Sequence, residues 1–195
     1  MSDKLSVRRA VLAARRSMPV DERDAADRAL ARLAADAVRG RPTVAAYAPM
    51  PGEPGGEALL PALAAAVGTV LVPVRRPDLD LDWAAYDGPA SLSRPARGPR
   101  EPLGRPLGPA AVAGCATVFV PALAVDAAGT RLGRGGGSYD RALARVPAGT
   151  PVVALLYPGE LRPTLPREAH DRPVTAVLMS TGTHPVPTTG RERGP

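Results

Sequence analysis

The 195-residue chain predicts an α/β fold: a single domain built on an open, mostly parallel sheet with helices on both faces, a three-layer α/β/α arrangement. Three observations predict it. Short apolar and β-branched runs at 43–48, 69–74, 118–122, 152–156 and 174–179 alternate with Ala-, Leu- and Arg-rich stretches of helical length. The later runs are apolar throughout rather than at every second residue, as in strands covered on both faces. The length suits one domain and lets the chain bury roughly two-thirds of its unfolded surface, so no disulfide or metal staple is required. The catalytic domain is expected at 1–181, with 182–195 a polar, Pro-containing tail expected to be disordered.

In chain order, residues 3–39 read as two helices. Met18-Pro19 separates them, because proline lacks the N–H that a helix interior needs, and Asp21 is placed to cap the second. The runs at 43–48 and 69–74 flank a helical stretch at 58–67, and a strand-helix-strand unit implies parallel strands. Residues 79–86 are more polar and suit an edge strand, and 89–109 is a Pro/Gly/Arg-rich surface loop. A further helix begins near Ser138. Ligands of such sheets sit beyond the carboxyl ends of the strands, which directs attention to the loops after Ala48, Ala122 and Leu156.

The formal net charge of +6 suits anionic partners, with nucleotide, polyglutamate, nucleic acid and membrane surface all compatible. Phe119, Trp83 and four Tyr leave little for the stacking platforms of single-strand binders, and the arginines are scattered, so nucleic acid is not the expected partner. The longest apolar run, 110–125, is interrupted by Gly114 and Pro121 and falls short of the ~18 to 20 residues of a membrane helix, so no membrane association is expected. Cys115, the single cysteine, cannot form an internal disulfide and reads as a small buried hydrophobe. With no secretory leader behind the N-terminal charges, a reducing cytoplasm is the expected setting.

The densest chemical signal is Arg131-Leu132-Gly133-Arg134-Gly135-Gly136-Gly137-Ser138-Tyr139-Asp140-Arg141. Glycines between a strand and a helix let successive backbone N–H groups converge on phosphate oxygens, and Arg134 adds a cation inside the loop. The pattern is neither a Walker A loop, for want of Lys-Ser/Thr, nor a dinucleotide fingerprint, since Ser138 stands where its third glycine belongs. Residue types alone also permit a flexible connector, with Asp126-Ala-Ala-Gly129 a type I turn and Asp140 a first-turn carboxylate on the helix dipole.

From Pro121 through Arg141 the chain resembles the signature of the 5-formyltetrahydrofolate cyclo-ligase, or methenyltetrahydrofolate synthetase, family. That signature runs Pro, a short apolar stretch, Phe-Asp, two residues, Gly-x-Arg-Leu-Gly, one residue, Gly-x-Gly, an aromatic pair and Asp. Val125 replaces the usual aromatic before Asp126, and Ser138 replaces the first of the aromatic pair, leaving Tyr139. Lys4-Leu5-Ser6-Val7-Arg8 fits the family's Lys-x-x-x-Arg on its first helix. Positions 4, 8 and 15 share a helical face, so Lys4, Arg8 and Arg15 form either a cationic stripe able to approach a polyphosphate or a solvated face. Tyr47-Ala48-Pro49-Met50-Pro51-Gly52-Glu53 fits the family's turn after its first strand, and Gly98-Pro-Arg-Glu101-Pro102 is similar to its Gly-x-x-Glu-Pro. Leu165-Pro166-Arg167-Glu168-Ala169-His170-Asp171 fits its Pro-x-Glu-x-His-Asp, a stretch that residue types alone leave as a turn before a strand. Glu160 stands where the family commonly has Gln.

The resemblance implies ATP- and Mg²⁺-dependent conversion of 5-formyltetrahydrofolate, with or without a polyglutamate tail, to 5,10-methenyltetrahydrofolate, releasing ADP and phosphate. It implies ATP contacts from Lys4, Leu5, Ser6, Val7 and Arg8 and from Arg131 through Tyr139. Folate contacts would come from Ala48, Met50 and Glu53 and from Gly135, Gly136, Gly137, Ser138 and Tyr139. Catalytic roles would fall to Arg134 and Tyr139, and Mg²⁺ to Asp140 and Asp171, whose hard oxygens suit that ion. A cytoplasmic monomer is the expected form. Two other readings stay open: a diverged member that binds folate without turnover, motivated by Ser138 and Glu160, and a basic nucleic-acid-binding domain with steeply salt-dependent affinity.

Overall fold

The computed structural model describes residues 3–93, 95, 98–168 and 171–186. Asp3 caps the first helix, α1 (Lys4–Ser17), by accepting the N–H of Ser6 at 2.6 Å. The helix stops before Met18-Pro19, and α2 (Val20–Val38) follows with Pro19 at its N-cap. Asp21, expected as that cap, instead lies in the first turn with Glu22, where a carboxylate still meets the positive end of the helix. Ala26, Leu30, Ala34 and Val38 recur every fourth residue of α2 and are buried, the stripe that seats it on the sheet. No helix among the described residues is long and apolar enough to cross a membrane.

The strands are β1 (Thr43–Ala45), β2 (Thr69–Arg75), β3 (Leu81–Ala85), β4 (Val118–Pro121), β5 (Ala124–Asp126), β6 (Arg131–Leu132), β7 (Val152–Leu155), β8 (Leu161–Arg162), β9 (Ala176–Met179) and β10 (Gly182–Pro185). Seven of them form one sheet in the order β10-β9-β7-β4-β1-β2-β3. Its inner strands from β9 to β2 run parallel, and β10 and β3 close the edges antiparallel. The helix expected at 58–67 is a 3-10 turn, Gly56–Ala58, leading into α3 (Leu59–Ala64). Val44, Val70, Val72, Phe119, Leu155 and Leu178 pack with α2 and α3, whereas Ala45, Leu71, Val118, Val120, Ala154 and Val177 pack with α4 (Ser138–Leu143) and the 3-10 turn Pro109–Gly114. Successive strand residues thus serve opposite layers, and the α/β/α expectation holds.

Two features correct the sequence reading. Residues 182–185, expected in the tail, form β10 against β9, and Val186 is buried. An edge strand needs backbone partners on one side only and no continuous apolar face, so a polar stretch can supply it. The rest of the expected tail, 187–195, lies outside the described residues. β6, β5 and β8 form a second, three-stranded sheet that the sequence does not signal, since strands of two or three residues carry no periodic signature.

β1 has β2 on one side and β4 on the other, so the sheet grows in opposite directions from it. The crevice outside the carboxyl ends of strands at such a switch point is the usual ligand site of open α/β sheets.

Candidate active site

A cavity of about 400 Å³ opens at that switch point. The segment after β1 contributes Tyr47, Ala48, Met50 and Glu53, and the turn after β4 contributes Ala122 and Leu123. The ends of β2 and α1 add Arg75, Lys4 and Arg8, every residue from 131 to 140 lines it, and Glu168 and Asp171 border it.

Asp126 prepares the loop. Its buried carboxylate accepts the N–H groups of Ala128 and Thr130 at 3.0 and 2.8 Å on Oδ1 and of Leu165 at 2.9 Å on Oδ2, so its geometry is that of the turn. Gly129, at φ 81°, closes the β5–β6 turn, and an added Cβ would lie 2.5 Å from the Val174 carbonyl oxygen. The chain then passes through Gly135 at φ 106° and Gly137 at φ 67°, the residue preceding α4. None of the backbone N–H groups of Gly133, Arg134, Gly135, Gly136 and Gly137 donates to a protein acceptor among the described residues. Those of Ser138, Tyr139 and Asp140 belong to the first helical turn, which has no intrahelical partners for them. The result is a run of open donors among residues that line the cavity.

Cations surround this run, and each rests on an oxygen. Arg8 Nε donates to the Gly133 carbonyl at 2.9 Å. Lys4 Nζ bonds Glu168 at 2.8 Å and Asp171 at 3.1 Å. Burial works against the Lys4 ammonium, but these two carboxylates more than offset it and hold its pKa above the usual lysine value. Arg131 Nη2 donates to Asp140 at 3.1 Å, and its guanidinium lies 5.7 Å from the Tyr139 ring centroid. Arg134 Nε donates to Glu53 at 3.1 Å, while the other Glu53 oxygen accepts the Met50 N–H at 3.0 Å. Burial pushes the Tyr139 hydroxyl far above its usual value, so it is a neutral donor at physiological pH.

Of the residues singled out by sequence, Lys4, Arg8, Ala48, Met50, Glu53, Arg131 through Asp140 and Asp171 therefore meet in one cavity. Leu5, Ser6 and Val7 do not line it. Leu5 is exposed, Ser6 bonds Asp3 at the helix start, and Val7 packs beside Leu132 and Leu165. A helix gives the cavity only one narrow face, and here that face carries residues 4 and 8. Arg15, on the same face, lies ~16 Å farther along the axis from Lys4 and is buried. Its Nε and Nη2 donate to the two oxygens of Glu160 at 2.6 and 2.8 Å, and Nη2 also to the Ala122 carbonyl at 2.8 Å. Burial pushes the Glu160 pKa up, toward the neutral acid, while the pair pushes that of Arg15 up, toward the cation. The two directions pull apart, and the two-pronged geometry is that of an ion pair, so both groups are charged.

Arg75 and Glu168 line the cavity without having been assigned a role. Arg75 ends β2 and pairs with Glu101, a position that the strand-end rule marks out. His170 lies outside the described residues. Cys115 is buried away from the cavity, and burial pushes its thiol up to about 11, so it is no nucleophile at neutral pH.

Asp140 and Asp171 are part-buried, with side-chain exposures of 17% and 12%. The hydrogen bonds to the Asp140 carboxylate among the described residues, from Arg131 and from the Arg172 N–H, both fall on Oδ1. Among the described residues no three metal-ligating side chains gather into a closed cage. Mg²⁺ does not need such a cage, since it takes one or two carboxylates and completes its shell with phosphate and water.

The chain matches the profile of the 5-formyltetrahydrofolate cyclo-ligase family over residues 1–180. It is 43% identical over 181 residues to the 5-formyltetrahydrofolate cyclo-ligase of Mycolicibacterium smegmatis, covering 90% of this chain and 92% of that one. The NMR structure of Aquifex aeolicus 5,10-methenyltetrahydrofolate synthetase superposes with a TM-score of 0.75 at 27% identity, over 98% of this chain and 96% of its own. A 5,10-methenyltetrahydrofolate synthetase from Mycoplasma pneumoniae shares the fold, with a TM-score of 0.73 at 16% identity over 92% and 99% of the two chains.

Proposed function

The chain belongs to the 5-formyltetrahydrofolate cyclo-ligase family, and from that premise we propose that its cavity carries out the ATP- and Mg²⁺-dependent cyclisation of 5-formyltetrahydrofolate to 5,10-methenyltetrahydrofolate. The observation that carries this reading is the run of open N–H donors from Gly133 to Gly137, set in one cavity with Lys4, Arg8 and Arg134 and with the buried Glu53 carboxylate. A triphosphate suits the donors and cations, and the N–H groups of a pterin suit Glu53.

The formyl amide oxygen is a poor leaving group and must first be activated. Its attack on the γ-phosphorus breaks the bond to ADP and makes the formyl carbon electrophilic. N10 then adds to that carbon and sheds its proton, and the C–O bond breaks with phosphate as the leaving group. Because ring closure is intramolecular, the protein supplies position and electrostatics above all. In the structure Lys4 rests on Glu168 and Asp171, and Arg134 on Glu53. Phosphate oxygens offer Lys4 and Arg134 a more highly charged partner, and when Arg134 turns to them Glu53 becomes available to the pterin. The neutral Tyr139 hydroxyl can donate without titrating. Magnesium, held by Asp140 and Asp171, would supply neutralisation of the phosphate charge.

We further take the described fold as one catalytic domain of a cytoplasmic monomer. A γ-glutamyl tail on the substrate would lie in the groove that adjoins the cavity at Met50 and Arg134 and carries Arg16, Arg23 and Arg100. The test is direct: the purified protein, mixed with ATP, Mg²⁺ and 5-formyltetrahydrofolate, should form methenyl product, followed by absorbance, with one ADP per product. Tight folate binding without product would overturn the reading in favour of a non-catalytic binder.

A further inference from the structure

Arg15 and Glu160 lie outside the cavity lining, although Arg15 borders the adjoining groove, and their charges are buried together, with side-chain exposures of 5% and 7%. We propose that this ion pair is a positioning device for nucleotide binding: it fixes α1 along its axis against the carboxyl ends of β4 and β7, and so sets Arg8 on the glycine loop and Lys4 on Glu168 and Asp171 at the cavity border. The inference rests on the cyclo-ligase reading of the cavity.

The contacts are directional and tie together three elements. Arg15 on α1 donates to both Glu160 oxygens and to the carbonyl of Ala122, which follows β4 and itself lines the cavity. Glu160 Oε2 also accepts the N–H of Tyr157, which follows β7, at 2.9 Å, and the Tyr157 ring centroid lies 5.5 Å from the Arg15 guanidinium carbon. Elsewhere along its length α1 is seated by apolar side chains such as Val7 and Val11 and, in its N-terminal half, by the part-exposed contacts of Lys4 and Arg8 themselves, the contacts whose placement is at issue. Apolar burial is non-directional and tolerates a small slide along the axis, whereas a planar guanidinium locked on three fixed acceptors does not. Arg8 and Lys4 lie two and three turns away on the same face of one continuous helix, so an axial shift at Arg15 reaches both. A displacement of about 1 Å at a binding group can cost on the order of 100-fold in rate. A buried ion pair is a poor source of stability, since apolar residues of similar volume replace one at little or no cost. What it supplies here is register.

Register and stability separate in the double variant Arg15→Met/Glu160→Leu, which strands no charge. Calorimetric titration with a non-hydrolysable ATP analogue and Mg²⁺ should give a Kd raised on the order of tenfold, while the melting temperature stays within a few degrees and the Kd for 5-formyltetrahydrofolate within twofold. A folded double variant that binds the analogue like the wild type overturns the proposal. Should that variant not fold, Glu160→Gln serves instead, because one amide oxygen cannot accept from Arg15 twice and from Tyr157 as well. It should weaken the analogue several-fold and leave folate binding alone, and unchanged analogue binding would equally count against the pair. Wild-type turnover is scored separately: methenyl formation with unaltered nucleotide affinity in the variants sinks this inference only, and no turnover sinks the cyclo-ligase reading.

Discussion

The pairs Arg134–Glu53 and Arg15–Glu160 flank the same site and differ in one respect that decides their roles. In the first, the guanidinium is 49% exposed and only the carboxylate, at 7%, is buried. In the second, both partners are buried. Arg134 can leave Glu53 for another anion, because water can solvate it on the way and Glu53 keeps the Met50 N–H. Arg15 has no such route, since any departure abandons a charge in the interior. The same two residue types therefore make an exchangeable contact in one place and a permanent one a few residues from the cavity wall in the other, and the difference is burial rather than chemistry.

The contrast can be broken most sharply at the buried pair. Glu160→Ala leaves Arg15 buried without a partner and should cost about 3–5 kcal/mol of stability, read as a lower midpoint in urea. A shift below about 1 kcal/mol would mean that Arg15 escapes to solvent and that the two pairs are alike. At the exposed pair the loss should fall on turnover. Arg134→Ala is expected to lower kcat/KM on the order of 10²–10³-fold, as when one electrostatic donor is removed from a transition state, while stability changes by less than about 1 kcal/mol. Equal losses in both measurements would remove Arg134 from the phosphate site.

Asp140–Arg131 is intermediate, with exposures of 17% and 5%. Asp140→Asn should raise the Mg²⁺ concentration for half-maximal activity several-fold and, because it leaves the buried Arg131 guanidinium without a counter-charge, lower nucleotide-free stability by about 1–3 kcal/mol, and an unaltered Mg²⁺ requirement would reassign the ion. The smallest effect is expected at Lys4. Its folded-state pKa is raised, so the stability from its ion pairs is complete below the usual lysine value of about 10.4 and is lost only as pH rises through the raised one. A urea midpoint followed from pH 7 to 11 should fall at the alkaline end, and Lys4→Met should flatten that fall. A decline centred near neutrality would belong to another group.

Much of this was legible in the residues. The alternation of apolar runs with helical stretches predicts the layers, since strands buried on both faces admit little but apolar side chains, and Pro19 breaks the N-terminal helices for want of an N–H. The glycine-rich stretch from Gly133 to Gly137 marks a candidate phosphate loop by residue type, whereas Glu53 is picked out by the family resemblance. The residues do not signal β10, the small sheet through β5, or the separation of Arg15 from Lys4 and Arg8. For the small sheet and for Arg15 the deciding partner is remote in sequence: β5 needs β8, and Arg15 needs Glu160, 145 positions away, whereas β10 pairs with its neighbour β9 but is too polar to read as a strand.

By itself, then, the order of amino acids determined what is local: where helices stop, which runs are buried, and that bare backbone backed by a cation stands between a strand and a helix. Which charges are neutralised, and whether that neutralisation can be undone, was decided only when the chain closed on itself. Ionic free energy depends on distance and on excluded water, and both are set by residues that meet only in the folded state.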